Sequence, residues 1–338
     1  MPDPPMAFMK KGLNQISQII PQGTGVAYLD YPVYSNIGDI LIMKGTERFF
    51  AEHKINVKSR YSLVDYSSKI EFPEDIVLTF QGGGNFGDLY PEFQRFRESF
   101  IRKYKKNKII ILPQTIYYRN PEALEHSSET LADHPDLHIF VRDKRSFKIA
   151  KKYFSNFVYL APDMAHALWP IQTSLPQNSR CLYLLRTDKE RSYENQIHRN
   201  NGGDIADWPR ILTNWDKLRI WTLIIFHVIN KAKPMFPTYR FWGRLTDDLV
   251  NKVIRIFSSY AQIVSSRLHG HILACVMNRP NTLLDNSYGK NSSYYNTWTY
   301  RVPFSSFQKK SAEYVTKEIS PIQEIVEQNP IKIPNKVL

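Results

Sequence analysis

The chain has 338 residues, of which 42% are apolar and 23% charged, so it is long enough for one or two buried cores and has the composition of a folded globular protein. Its 45 basic and 32 acidic residues give a formal net charge of +13, which favours anionic partners: nucleic acid, a phosphorylated small molecule or a lipid surface. Cys181 and Cys275 are too few and too far apart for a disulfide framework or a paired zinc site, and no apolar segment of signal-peptide length opens the sequence. We therefore expect a reducing compartment, the cytoplasm.

The first half of the chain alternates short apolar runs with amphipathic segments, which is the pattern of repeated strand–helix–strand units. A leading helix is predicted to end near Ile20. The predicted strands are residues 25–31, 75–80, 108–112, 137–142 and 157–160. Predicted helices lie around residues 40–50, over 92–105 and after Asp143. Pro113, Gln114 and Thr115 are expected to close the third strand.

Two glycine-containing turns follow predicted strands. In the first, Asn36, Gly38 and Asp39 precede a helix, and Asp39 either caps that helix or accepts a proton from a sugar hydroxyl. The second turn consists of Gln81, Gly82, Gly83, Gly84 and Asn85. Three consecutive glycines permit positive φ and let the backbone approach a ligand or form an anion-binding nest. The spacing matches neither the dinucleotide fingerprint nor the P-loop.

The second half begins after a loop-like stretch over residues 170–180, where we place a domain boundary. Residues 181–186 are predicted to form the first strand of a second sheet. Residues 187–210 are polar and aperiodic, which predicts a long loop and makes it a candidate for function. An amphipathic helix is predicted over 247–257.

A strand predicted over residues 261–264 ends at Ser265 and Ser266, which are N-cap candidates for the following helix. Residues 283–301 are rich in Asn, Ser and Tyr, as is typical of a sugar-facing loop. A closing helix is predicted over 305–319 and should stop before Pro321.

Three arginines and a histidine fall at the ends of predicted strands: Arg142, Arg186, Arg267 and His269. In a parallel sheet covered by helices, this edge is where ligands bind, because helix N-termini present free N–H groups to anions. Guanidinium groups suit carboxylate or phosphate, and a histidine can supply a proton near neutral pH. Surface arginines and a hydrogen-bonded structural histidine are the alternative interpretation. Asp163 and His166 are placed at the same rim.

Residues 215–245 interleave aromatic and basic side chains, and their longest uncharged apolar run is too short to cross a bilayer. One interpretation is a buried helix followed by a loop broken by prolines. The other is a docking surface for an anionic membrane. Lys231, Lys233, Arg240 and Arg244 flank two prolines, where a continuous helix is not expected.

The ordered motifs NIGD (36–39), QGGGNFGDLY (81–90), VRDKRS (141–146), APDMA (161–165), YLLR (183–186) and SSRLHGH (265–271) closely resemble the polysaccharide pyruvyltransferase family. The resemblance covers roughly residues 25–300 and is strongest for the bacterial exopolysaccharide branch, because of DNSYGKNSSYYNTW (285–298). It implies an α/β fold of two Rossmann-like domains facing a cleft, similar to B-type glycosyltransferases. We divide the chain into residues 1–175 on the acceptor side, 176–300 on the donor side and a closing segment, 301–338.

The resemblance also implies an activity. Members transfer pyruvate from phosphoenolpyruvate, a co-substrate, to hexose hydroxyls as a ketal, and no cofactor or metal is expected. Arg142, Arg186, Arg267 and Leu268 are assigned to the donor, and His269 to proton donation. Asp39 is a candidate base or acceptor anchor. Acceptor or backbone contacts are assigned to Asn36, Gly38, Gln81, Gly82, Gly83, Gly84, Asn85 and Lys290.

Three other functions are compatible with the sequence. A B-type glycosyltransferase using a nucleotide sugar would release a nucleoside diphosphate instead of phosphate. A non-enzymatic anion- or nucleic-acid-binding protein is suggested by charge alone, and since no nucleic-acid recognition motif is present, no nucleic-acid partner is predicted. An inactive scaffold should lack Arg267 and His269, which are both present. The predicted partners are phosphoenolpyruvate, a saccharide acceptor on a lipid or nucleotide carrier, and the inner face of the membrane.

Overall fold

The computed structural model contains two parallel β-sheets flanked by helices. It describes residues 3–155, 157–173, 178–188, 190, 203–232 and 236–308. This architecture is of the α/β class predicted from the alternation of strands and helices. The first half contains helices α1 (Pro5–Gly12), α2 (Asn14–Ile19), α3 (Ile37–Glu52), α4 (Pro91–Lys103), α5 (Pro121–Ala132) and α6 (Lys144–Tyr153). The second half contains helices α7 (Trp208–Ile211), α8 (Asn214–Ala232), α9 (Thr238–Ser258), α10 (Leu268–Val276) and α11 (Lys290–Thr297).

The first sheet has the order β2-β1-β3-β5-β6-β7, with β4 paired to the far end of β5. Its strands are β1 (Gly25–Leu29), β2 (Asn56–Tyr61), β3 (Val77–Phe80), β4 (Gly83–Gly87), β5 (Ile109–Tyr117), β6 (Leu137–Val141) and β7 (Phe157–Leu160). Helices cover both faces, which is why β1, β3, β5 and β6 read as continuous apolar runs rather than alternating ones. The strand order reverses between β1 and β3, and such a switch point is where ligands bind in open sheets.

The second sheet has the order β12-β11-β10-β8-β9, and its strand order reverses between β8 and β10, which are parallel. Its strands are β8 (Cys181–Leu184), β9 (Asp204–Ala206), β10 (Gln262–Ser265), β11 (Asn281–Leu284) and β12 (Ser305–Gln308). One apolar core cluster includes residues from both sheets, with α10 of the second half packed on α3 of the first. The two switch points are thereby held on the same side of the molecule's core, where they line a common pocket.

The structure corrects two strand predictions. Strand β5 does not end at Pro113, Gln114 and Thr115 but continues to Tyr117, because its register shifts at this point and its far end pairs with β4. A shift of this kind accommodates a proline, which has no N–H for the ladder. Strand β2 was not predicted, since its residues are partly exposed and polar and lack an apolar run.

The helix starts also differ from the expected ones. Asn36, not Asp39, caps α3: its side chain accepts a hydrogen bond from Gly38 N at 3.0 Å. Helix α10 is preceded by Arg267, without a side-chain cap, while Ser265 Oγ accepts a hydrogen bond from Arg267 N at 3.0 Å. Asp39 therefore does not cap α3, which was one of the two roles considered for it.

Part of the predicted long loop 187–210 is ordered structure, because β9 adds to the edge of β8 and α7 begins at Trp208. Residues 290–297, predicted as loop, form α11. The prediction of a closing helix over 305–319 is wrong for Ser305–Gln308, which form strand β12 and pair with β11. The rest of that predicted helix lies outside the described residues, and so does the proposed domain boundary at residue 175. The division into domains stays a prediction.

Helix α8 ends at Ala232 and α9 begins at Thr238, directly after Pro237, as the expected break in the helix requires; Pro234 lies outside the described residues. Helix α9 begins well before residue 247, where the amphipathic helix was predicted to start. Lys231 lies within α8, and Arg240 and Arg244 lie within α9; Lys233 is outside the described residues. None of the described helices is long and apolar enough to cross a membrane.

Gly45, in the middle of α3, shows how closely the first half is packed beneath the pocket. A Cβ at this position would lie 2.1 Å from the backbone oxygen of Met164, which belongs to a 3₁₀ turn (Met164–Leu168). Only a glycine lets the helix and the turn approach so closely.

We predict that Gly45→Ala destabilises the protein by about 1–3 kcal/mol, because the methyl group meets backbone that cannot rotate away. In Gly243→Ala, within α9, nothing lies within 4 Å of the added Cβ, so this control should instead stabilise the helix by about 0.5–1 kcal/mol. Urea unfolding of both variants measures the difference. Equal effects of the two substitutions would contradict the close approach.

Candidate active site

A cavity of about 320 Å³ lies where the carboxyl ends of the two sheets meet, and both halves of the chain line it. Eleven of the predicted site residues are in its wall: Asn36, Asp39, Gly82, Gly84, Asn85, Arg142, Arg186, Arg267, Leu268, His269 and Lys290. Three predicted residues, Gly38, Gln81 and Gly83, are not in the wall but contact residues that are. The structure thus brings residues of these segments together around one cavity, whereas their assignment to a functional site and the roles given to them stay predictions.

The fold brings these side chains together through its switch points. Asp39 and Gly84 follow β1 and β3, which are neighbours in the first sheet. Arg186 and Arg267 follow β8 and β10, which are neighbours in the second. Leu268 is the first residue of α10, so the backbone N–H groups at this end have no partner within the helix and favour an anion.

Asp163 is the buried centre of the site, with no exposed surface. Its Oδ2 accepts a hydrogen bond from Arg142 Nη1 and lies 3.3 Å from His269 Nε2, while Oδ1 accepts one from Ala165 N at 2.9 Å. Burial alone would raise the pKa of Asp163, but the charges of His269 and Arg142 outweigh it and hold that pKa well below the usual range. The carboxylate thus stays ionised and orients one basic side chain from each half of the chain, Arg142 and His269.

Two glycines make room for basic side chains of the site. A Cβ on Gly38 would lie 2.7 Å from His269 Nδ1, so the first turn of α3 packs directly against the imidazole ring. A Cβ on Gly84 would lie 3.2 Å from Arg142 Nη2 and 3.7 Å from Lys290 Nζ. The glycine run therefore leaves open space in front of two cations, one from each half.

The arginines of the second half converge on the cavity, but each is already paired with carboxylates. Arg267 donates to Asp207 through Nε at 2.7 Å and Nη2 at 2.8 Å, and to Asp188 through Nη1 at 2.7 Å. Arg186 Nε donates to Asp188 at 2.9 Å, and its Nη2 lies 2.9 Å from Glu190. These contacts fix the orientation of both guanidinium forks before any ligand arrives.

Lys290 and Glu190 form a buried ion pair at the rim of the cavity, with 2.7 Å between Nζ and Oε2. Burial would raise the pKa of Glu190, yet Lys290 and Arg186 together hold it well below its ordinary value. Burial lowers the pKa of Lys290, an effect that Glu190 opposes. Glu190 also accepts hydrogen bonds from Tyr90 at 3.1 Å and Tyr288 at 3.2 Å, so its carboxylate is fully engaged.

The wall contributed by the first half is aromatic. Tyr34, Tyr90 and Phe93 line it, and the ring of Phe93 meets that of Tyr34 edge to face, with centroids 6.0 Å apart. Beside them, Asp39 Oδ2 accepts hydrogen bonds from Asn36 Nδ2 at 2.7 Å and Tyr34 Oη at 3.1 Å. An aromatic wall with one oriented carboxylate contrasts with the cationic wall opposite.

The sequence interpretation missed the carboxylates that pair with the arginines. Asp163 was placed at the rim without a role, and Asp188, Glu190 and Asp207 were not selected. Asp163 and Asp207 follow strand-like runs and precede a helical turn, which is a signal that could have identified them. Glu190 stands in a polar stretch without periodicity; Arg186 is four residues away, but Lys290 and Tyr90 are each 100 residues away along the chain. The described residues contain no group of three or more His, Cys, Asp or Glu side chains that could hold a metal ion.

Two parallel sheets whose switch points share a pocket of buried guanidinium groups define an α/β protein with the features of an anion-binding site. Residues 36–288 match the family model named Polysaccharide pyruvyl transferase. The chain is 42% identical over 301 residues to the putative pyruvyl transferase EpsO of Bacillus subtilis, covering 88% of this chain and 92% of that protein. It therefore belongs to the polysaccharide pyruvyl transferase family, and the prediction of an enzyme of this kind is confirmed.

Two further matches were found, one in sequence and one in structure. Pyruvyl transferase 1 of Schizosaccharomyces pombe is 29% identical over 293 residues, which cover 81% of this chain and 70% of that protein. A solved structure of an uncharacterised protein from Klebsiella pneumoniae aligns with a TM-score of 0.62 at 22% identity, over 89% of this chain and 99% of that chain. The structural similarity supports the fold alone.

His166, next to the buried carboxylate, makes the stability of the site depend on pH. It is fully buried, its Nε2 lies 2.8 Å from Tyr294 Oη, and burial lowers its pKa to about 4. The unfolded chain binds a proton at a pKa of about 6.5, so the folded state, which keeps His166 neutral, loses stability as pH falls from about 6.5 towards 4.

We predict that this residue contributes about 2 kcal/mol to the stability lost between pH 7 and pH 5. His166→Gln should reduce that loss by a similar amount, whatever its effect at pH 7. His126→Gln, at a histidine whose side chain is 67% exposed, should leave the loss unchanged. Urea unfolding at the two pH values provides the measurement, and identical pH dependence in all three proteins would exclude the assignment.

Proposed function

We propose that this enzyme transfers pyruvate from phosphoenolpyruvate to two hydroxyls of a hexose in an exopolysaccharide repeat unit, forming a pyruvate ketal and releasing phosphate. The observation that supports this most directly is the convergence of Arg142, Arg186, Arg267 and Lys290 with His269 around one cavity. Phosphoenolpyruvate carries a carboxylate and a phosphate on a three-carbon skeleton, so its recognition needs several cations within a small volume.

The donor is proposed to lie against the wall of the second half. Guanidinium groups suit carboxylate and phosphate oxygens, and the carboxylates paired with Arg186 and Arg267 hold both groups in place at the cavity wall. The backbone N–H of Leu268, at the start of α10, offers a further donor to an anion. Arg142, fully buried on its Asp163 side, reaches the cavity beside Gly84.

His269 is proposed as the acid of the first step. Its proton is transferred to the methylene carbon of phosphoenolpyruvate, which leaves an oxocarbenium-like centre at C2. A sugar hydroxyl attacks C2 and loses its proton to a base, for which Asp39 is the candidate. The C2–O bond to phosphate then breaks, and the departing phosphate takes the proton held by Asp39. A second hydroxyl attacks C2, gives its proton to the imidazole of His269, and closes the ketal. No metal or cofactor is needed for this scheme.

The acceptor is proposed to occupy the aromatic wall. Tyr34, Tyr90 and Phe93 offer flat apolar faces of the kind that pack against the C–H face of a hexose, while Asp39 can accept hydrogen bonds from its hydroxyls. Asn36 and Tyr34 orient this carboxylate towards the cavity. We propose in addition that the two halves are separate Rossmann-like domains with the cleft as active site. The enzyme is proposed to work in the cytoplasm, at the inner face of the membrane, on an acceptor carried by a lipid.

The products of the reaction test this function. Purified enzyme, phosphoenolpyruvate and a short hexose acceptor should release inorganic phosphate, and mass spectrometry should find the acceptor heavier by one ketal-linked pyruvate. Release of a nucleoside diphosphate from a nucleotide sugar, without any reaction of phosphoenolpyruvate, would instead identify a B-type glycosyltransferase.

We predict that His269→Ala lowers turnover by about 10² to 10⁴, because the methylene carbon is no longer protonated by a positioned acid. The donor should still bind with nearly unchanged affinity, since the arginines are intact. His126→Ala, on the surface, is the control and should retain full turnover. A rate within a few-fold of the unmodified enzyme would remove His269 from the reaction.

We predict that Arg142→Lys, Arg186→Lys and Arg267→Lys each weaken phosphoenolpyruvate binding, by about 1.5–3 kcal/mol, because lysine keeps the charge but loses the fork. Isothermal titration calorimetry measures the affinity, and thermal unfolding of the same samples shows whether each variant is folded. Arg255→Lys, at an exposed site in α9, should bind as the unmodified enzyme does. Unchanged affinity in all three variants would place the donor elsewhere.

A further inference from the structure

One face of helix α8 is apolar and exposed along its length. Trp215, Leu218, Trp221, Ile225 and Val228, here called the α8 stripe, are each between 52% and 66% exposed. Their spacing of three or four residues puts them on the same side of the helix, over about 20 Å. An exposed apolar surface of this extent, with two tryptophans, marks an interaction site.

The opposite face of α8 is firmly attached to the rest of the protein. Ile220 and His227 are buried, and His227 Nε2 lies 3.0 Å from the hydroxyl of Tyr31, which belongs to the first half. Asp216, at the start of the helix, accepts a hydrogen bond from Lys252 of α9. The α8 stripe is therefore a fixed part of the fold, presented by a helix whose other side is packed.

The charges around the α8 stripe are basic. Lys217, Lys231, Arg240 and Arg244 are exposed, and none is paired with a carboxylate of the described residues. The exposed acids of α9 are already neutralised: Asp247 pairs with Lys44 at 2.7 Å, and Asp248 with Arg219 at 2.6 Å. Arg244 also lines a groove of about 390 Å³ together with Trp215, Leu218 and Phe241.

We infer that the α8 stripe and these four cations form a docking surface for an anionic lipid bilayer, with α8 lying in the plane of the headgroups. Tryptophan favours that depth, and an apolar helix face flanked by lysine and arginine is the pattern of helices that bind at the membrane interface. Anionic headgroups would neutralise the charges of Lys217, Lys231, Arg240 and Arg244, while the α8 stripe is buried among the acyl chains.

A second copy of this chain is a less suitable occupant of the surface. A twofold contact would bring the same patch from both molecules together, so the cations of one copy would face the cations of the other. No exposed, unpaired carboxylate of α8 or of the first turns of α9 is available to balance them. A bilayer supplies the opposite charge that a second copy does not.

The docking surface lies close enough to the pocket for membrane binding to bring a lipid-linked acceptor to it. This role of docking rests on the proposed function. Trp208 lines the pocket and Trp215 begins the α8 stripe seven residues later, so the two are at most about 25 Å apart. A saccharide held by a lipid carrier in the same bilayer would be within reach of the cavity.

Flotation with vesicles tests the inference independently of catalysis. The enzyme should float with vesicles of phosphatidylcholine and phosphatidylglycerol at moderate salt and remain below with phosphatidylcholine alone. The triple variant Leu218→Ser, Ile225→Ser and Val228→Ser should lose at least about tenfold in the floating fraction, because it removes apolar area without touching the core. The variant Lys231→Gln, Arg240→Gln and Arg244→Gln should show a similar loss that high salt mimics in the unmodified enzyme.

The matched control removes three exposed cations of the first half, as Lys54→Gln, Lys58→Gln and Lys69→Gln, and should float normally despite the same change in net charge. Failure of the unmodified enzyme to float, or equal flotation of the stripe variant, overturns the inference. A dimer in light scattering that only the stripe variant dissociates, without flotation, overturns it in favour of self-association.

Pyruvyl transfer to a short soluble acceptor, measured on the same samples, should be equal in all variants. Flotation without any such transfer would count against the proposed function and leave the docking surface intact. Transfer without flotation would overturn the docking surface and leave the proposed function intact.

Discussion

The electrostatics of this enzyme depend on one carboxylate that has no contact with solvent. Asp163 keeps its charge because Arg142, from the first half of the chain, and His269, from the second, both approach it. Removing one partner of a buried pair leaves an uncompensated charge, at a cost of about 3–5 kcal/mol. This contact therefore joins the two halves of the chain and at the same time orients Arg142 and His269. Stability and the geometry of the pocket cannot vary independently here.

The same arrangement extends to the other cations of the cavity. Arg186, Arg267 and Lys290 each have a carboxylate partner, so no guanidinium or ammonium group of this set is buried without compensation. The partners also limit how far each group can move. A ligand thus meets donors that are already oriented, and little conformational entropy of these long side chains remains to be lost on binding.

The sequence predicted the α/β class and most of the buried strands, because buried parallel strands are continuous apolar runs that alternate with helices. A cleft shared by the glycine run and the arginines of the second sheet was implied only by the family resemblance. The sequence did not predict β2, whose polar residues gain their strand pairing from β1, or the extension of β5 beyond Pro113, which depends on β4. It also missed Glu190. Lys290 and Tyr90, which bind its carboxylate, are each 100 positions away in the chain, and Arg186, four positions away, forms no periodic pattern with it. Single-sequence patterns report only local periodicity.

The engaged carboxylate of Glu190 has a consequence for how an anion enters the pocket. Lys290 and Arg186 are occupied by an internal anion, so a substrate carboxylate or phosphate that used them would have to exchange with it. The free energy of such an exchange is the difference between two similar ion pairs rather than the full strength of one. Affinity for a small anion would then be moderate, and discrimination would come from the match of shape and second contacts. A pocket of this type exchanges one anion for another and distinguishes between anions by their geometry rather than by their charge.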